Sequence, residues 1–75
     1  MKEYKVLLAT INDVKKFVNI VGKYDYDIDL VSGRYAIDAK SIMGIFSLDL
    51  SKPIELHAHS DDTADFEKEI EPFRV

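Results

Sequence analysis

The sequence predicts an α+β fold of order β-α-β-β-α-β-α, in which helices cover one face of a four-stranded antiparallel sheet. Three observations predict it. Apolar and polar residues alternate over residues 4–8, 26–31 and 54–58; segments of helical spacing follow the first and last of these; and Ser32-Gly33 joins two alternating stretches closely enough for a hairpin. An alternating strand offers one apolar face only, so helices are needed on that side and water can take the other.

The elements follow in order. Tyr4, Val6 and Leu8 place a strand over residues 3–9, with Leu7 left on its outer face. Thr10 and Asn12 are both N-cap residue types, and Asp13 suits a first helical turn. Val14, Phe17, Val18 and Val21 then recur at helical spacing opposite Lys15, Lys16 and Asn19, so an amphipathic helix runs over residues 11–22 and ends at Gly22. The alternation at 26–31 and its return at 34–38, across Ser32-Gly33, make the hairpin. Ser41 caps a short apolar helix over residues 41–47, and the polar, Pro53-containing stretch after it is a connection. Ile54, Leu56 and Ala58 face inward on the last strand and put Glu55, His57 and His59 on the other side. Residues 60–63 are rich in capping side chains, and Ala64, Phe66 and Ile70 form the inner stripe of a final helix that Pro72 stops. With only two to three turns it should be the weakest element unless Phe73 and Val75 fold back onto the core.

Seventy-five residues make a single domain, 1–75, and a chain this short buries only about 60% of the surface it exposes when unfolded. The composition, 47% hydrophobic and 32% charged, is too apolar for disorder. With no cysteine, the chain lacks disulfides, thiolate metal ligands and thiol catalysis. No run is long enough to span a bilayer and no signal peptide precedes the first strand, so a cytoplasmic protein without membrane contact is expected. A net charge of −4 with scattered basic residues argues against direct nucleic-acid binding. No cofactor motif and no nucleophile–base pair is present, which predicts a non-enzyme.

The segment Lys40-Ser41-Ile42-Met43-Gly44-Ile45-Phe46-Ser47-Leu48 stands apart from this plan. Its apolar residues are too closely spaced for one narrow stripe, so part of the run should be exposed beside a helix-capping serine. Such a serine is either an N-cap and nothing more, or a phosphorylation site next to a docking patch of Ile42, Met43 and Phe46.

Lys40-Ser41-Ile42-Met43-Gly44 with Ser47-Leu48, together with Lys23-Tyr24-Asp25, Asp27, Ile28 and Leu30, resembles the HPr family, the small phosphocarriers of the bacterial phosphoenolpyruvate:sugar phosphotransferase system, most of all its Gram-positive members. The resemblance implies an HPr-like open-faced β-sandwich. It also implies that Ser41 is the target of an HPr kinase, and that the phosphorylated form serves a catabolite-control transcription factor. In the family a histidine before the first helix carries the phosphate, with an arginine and a proline close behind. Here Thr10 and Asn12 stand at the histidine and arginine positions, Asp13 stands at the proline position, and the preceding loop is shortened. A phosphohistidine relay needs an imidazole nucleophile and a cation to hold the phosphoryl group, and neither residue type supplies it.

His57 and His59 project from one face of the last strand and are read as residues of a solvated sheet surface with no metal assigned, and the strand order that the resemblance implies sets Asp27 and Asp29 across from them. Three readings remain open: a regulatory protein switched at Ser41; a constitutive binding module using Leu7, Ile42, Met43 and Phe46; and a phosphocarrier with an atypical acceptor.

Overall fold

The computed structural model describes residues 1–75. Strands β1 (Lys2–Val6), β2 (Ile28–Ser32), β3 (Tyr35–Asp38) and β4 (Ile54–Ala58) form one antiparallel sheet of order β1-β4-β2-β3. Helices α1 (Ile11–Val21), α2 (Ile42–Phe46) and α3 (Ala64–Ile70) complete the predicted order, and a 3₁₀ turn (Glu71–Phe73) extends α3. The inward strand residues Val6, Ile28, Leu30, Ile54, Leu56 and Ala58 join Val14, Phe17, Val21, Ile45, Phe66 and Ile70 of the helices in one buried cluster. Burial of this apolar face is the main driving force for folding, since none of the helices is long enough to hold itself.

Three boundaries differ from the sequence reading, each because the backbone finds another partner. The first strand ends at Val6, and the Leu7 N–H donates to the Phe73 carbonyl at 2.8 Å. A bridge between Val6 and Arg74 and a Val75 N–H bond to the Lys5 carbonyl lay the C-terminus along the free edge of β1, which leaves Leu7 half-buried. The second strand starts at Ile28, two residues late, because the Lys40 ammonium takes the carbonyls of Tyr24 and Tyr26 at 2.8 and 3.4 Å and holds that segment as a loop. The hairpin turns at Gly33-Arg34, for Ser32 still pairs with Tyr35; Gly33 takes φ +61°, a conformation that only glycine enters without cost.

The last helix is well anchored. Phe66 makes edge-type contacts with Tyr4, Tyr24 and Tyr26, with ring centroids 5.3–6.3 Å away. Phe73 is buried against Phe17, while Val75 stays exposed. Thr63 does not cap α3; it is buried, and its hydroxyl lies 2.9 Å from that of Tyr4, which donates to Glu67.

The Tyr24 hydroxyl donates to Glu69 at 2.8 Å, and Lys23 binds the other oxygen of that carboxylate at 2.9 Å. Hydrogen bonds from Lys23 and Tyr24 hold the Glu69 carboxyl below the usual carboxylate range. Burial first, and then the bond to Glu69, push the Tyr24 hydroxyl from 10.0 up to about 12. The unfolded chain therefore loses this proton before the folded one does. The stabilisation is complete below the unfolded value of 10.0 and is lost as pH rises from there to about 12. Thermal midpoints measured across that window should fall with pH, and Tyr24→Phe should flatten the decline; an equal slope in the variant would assign the loss to other groups.

Candidate functional site

Two helix N-termini carry the positions that the sequence singles out, and the chain treats them in opposite ways. At α1, Thr10 is the N-cap: its side-chain oxygen accepts from the Asp13 N–H at 3.0 Å, and the Asp13 carboxylate accepts from the Thr10 N–H at 3.3 Å. This reciprocal capping box satisfies two donors of the first turn and puts a negative charge at the helix mouth. A phosphoryl group would have to displace that carboxylate and would meet its charge. Asn12 is exposed, forms no side-chain hydrogen bond and brings no positive charge to this terminus.

At α2 the cap is open on one side. The exposed Ser41 accepts the Gly44 N–H through Oγ at 3.2 Å, and no carboxylate reaches back to it. Gly44 matters to this geometry, for a Cβ there would stand 3.2 Å from Ser41 Oγ and 3.3 Å from Ile37 Cδ1. The Lys40 N–H donates to the Asp38 side chain while its ammonium holds the 24–26 loop, so the backbone leading into Ser41 is fixed from both sides. Ser47 closes the helix, its hydroxyl donating to the Gly44 carbonyl at 2.6 Å.

The run after Ser41 divides as the spacing requires. Ile45 is buried, Ile42 is half-buried against the core, and Met43 and Phe46 are 77% and 42% exposed. Of the three predicted docking residues, Met43 and Phe46 thus present free apolar surface and Ile42 presents only part of its side chain. Leu7, offered for the same surface in the binding-module reading, lies half-buried in a shallow groove with Ile20 and Phe73 instead. Ile11, at the first position of α1, is 63% exposed. Nothing in the sequence singles it out, because the inner stripe of the helix begins at Val14.

The other face of the sheet carries the histidines. His57 points outward from β4, with its Nε2 3.3 Å from Glu55 and 3.4 Å from Glu3. His59 lies past the strand end and meets Asp29 at 2.9 Å, whereas Asp27 contributes only a backbone carbonyl, to the His59 N–H. Glu3, Glu55 and His57 are the side chains whose donor atoms gather closely enough to hold a metal. Glu3 had no signal in the sequence, since its place beside His57 depends on the β1–β4 register. No helix is long and apolar enough to cross a membrane.

A family model described as the PTS HPr component phosphorylation site matches residues 12–73, a span that begins two residues after Thr10. Among solved structures, the chain is similar to HPr-C-His from Thermoanaerobacter tengcongensis, with 28% identity, a TM-score of 0.77, and coverage of 93% of this chain and 86% of that one. It has the same fold as the phosphocarrier protein HPr from Bacillus anthracis str. Ames, with 21% identity, a TM-score of 0.73, and coverage of 96% and 95%. No curated protein matches significantly.

Proposed function

Since the chain belongs to the HPr family of the phosphotransferase system, whose members are phosphocarriers and not enzymes, we propose that it acts as a regulatory member, switched by phosphorylation of Ser41, and does not relay phosphate through a histidine. The contrast between the two helix N-termini carries this reading. At α1, Thr10, which the resemblance sets at the acceptor position, is capped by Asp13, while Ser41 at α2 is exposed, follows the anchored Lys40, and stands next to Met43 and Phe46.

A phosphate on Ser41 would add about two negative charges and three strong acceptors at the edge of that apolar surface. A partner would then read an anion and an apolar contact together, and a like-charged or purely apolar partner would be turned away. Members of the family act by contacting other proteins of the phosphotransferase system. The proposed partners here are an HPr kinase, which writes the phosphate, and a catabolite-control transcription factor, which reads it through Ser41, Met43, Phe46 and the exposed part of Ile42.

The test is intact-mass analysis after incubation with a Gram-positive HPr kinase and ATP. One added phosphate is expected on the parent chain and none on Ser41→Ala. No gain on the parent, with an authentic HPr modified in the same tube, would sink the switch and favour a constitutive docking surface at Met43 and Phe46.

A further inference from the structure

The open face of the sheet gathers one histidine and two carboxylates that form no ion pair with a lysine or arginine, although Lys5 stands opposite Glu55 in the register of β1 and β4. Glu3 and His57 face each other across β1 and β4, and Glu55 stands two residues before His57 on the same side of β4. The ion pairs of Glu3 and of Glu55 run to His57 alone. In the tautomer with its proton on Nδ1, His57 offers the Nε2 lone pair beside two carboxylate oxygens, a set of donor atoms that a metal ion can take.

The spacing fits a metal. Bonds from Zn²⁺ to imidazole nitrogen and to carboxylate oxygen are about 2.0–2.2 Å, so two ligands at corners of a tetrahedron stand about 3.3–3.5 Å apart. His57 Nε2 lies 3.3 Å from Glu55 Oε2 and 3.4 Å from Glu3 Oε1, and all three donor atoms fall within 4.8 Å of one another. Two tetrahedral edges are therefore present, one between register partners of β1 and β4 and one along β4, and the third closes by rotation of the exposed glutamates. We propose that Glu3, Glu55 and His57 bind a zinc-class divalent ion on the open face of the sheet, with the fourth position left to water. One nitrogen and two oxygens on two rigid strands suit zinc better than magnesium, which demands near-octahedral oxygen ligation and dehydrates reluctantly. His57 is well shielded, whereas Glu3 and Glu55 are 63% and 53% exposed, so ordering the two glutamates limits the affinity.

The second histidine is an internal control, because His59 is engaged by Asp29 and shares no ligand with this cluster. The experiment is titration of the ¹⁵N-labelled chain with Zn²⁺ alone near neutral pH, read on histidine ring nitrogens and backbone amides. One equivalent should shift His57 Nε2 and the amides of residues 3, 55 and 57 saturably and leave the His59 ring unmoved, while Mg²⁺ should shift none of them. His57→Gln should weaken zinc binding by more than about tenfold, since even outer-shell partners of metal sites command that range. Glu3→Gln, a change at an exposed strand position, should weaken binding in a chain whose amide spectrum is otherwise preserved. Unchanged affinity in both variants, zinc shifts that fall on His59 and Asp29, or no saturable shift up to millimolar zinc would overturn the site.

Discussion

Phe66→Ala is expected to cost about 3–5 kcal/mol, the usual range for emptying a fully buried aromatic site. Its side chain is completely buried on α3, in edge-type contact with the rings of Tyr4, Tyr24 and Tyr26. Folded domains are stable by about 5–15 kcal/mol, and a small domain sits toward the low end, so the loss takes most of the margin. Three rings lose their common partner at once. Urea unfolding followed by far-ultraviolet circular dichroism checks this, with Tyr35→Ala as a reference. Tyr35 is 72% exposed on the outer strand, and its truncation should change stability by no more than about 0.5 kcal/mol. Equal midpoints for the two variants would mean that α3 is not part of the cooperative core.

That result bears on what the chain order alone can tell. The strands and α1 are legible because each carries its own period: Tyr4, Val6 and Leu8, or Val14, Phe17 and Val21, state which side is buried without reference to anything distant. The same local logic finds Ser41 and Thr10 as caps. What is not legible is whatever depends on a partner far along the chain. Nothing around Thr63 says that its hydroxyl is taken by Tyr4, and nothing in the alternation around Tyr26 says that Lys40 will hold it in a loop. The predicted weakness of the last helix follows from its length, but Tyr4, Tyr24 and Tyr26 meet it from distant points of the sequence. Of the candidate site, Ser41, Met43 and Phe46 were readable from crowding of apolar residues after a cap, whereas Ile11 and Glu3 became visible only once helix phase and sheet register were fixed.

The second large effect concerns phosphate itself: incubated with phosphoenolpyruvate and the phosphotransferase components that label an authentic HPr, this chain is expected to remain unlabelled. An alcohol such as that of Thr10 needs a general base to become a nucleophile, a contribution of about 10²–10⁴-fold that an imidazole acceptor does not require. The one side-chain hydrogen bond of Thr10 Oγ1 is accepted from the Asp13 N–H, and the Asp13 carboxylate is turned to the Thr10 N–H, so neither residue is placed to remove the hydroxyl proton. The exposed Asn12 brings hydrogen-bond donors but no charge, which forfeits the stronger charge-assisted contacts to phosphoryl oxygens. The same carboxylate that caps the helix opposes the incoming dianion, so two deficits and one repulsion act together. Only His57 and His59 remain as nitrogen acceptors, and both lie on the opposite side of the sheet from α1, against carboxylates. Intact mass and acid stability of any label decide the matter. An acid-stable phosphate on Thr10 would show that the capping box opens during transfer, and an acid-labile one lost in His57→Gln or His59→Gln would move the acceptor to the open face. Either label would restore a phosphocarrier role and displace Ser41 as the only switch.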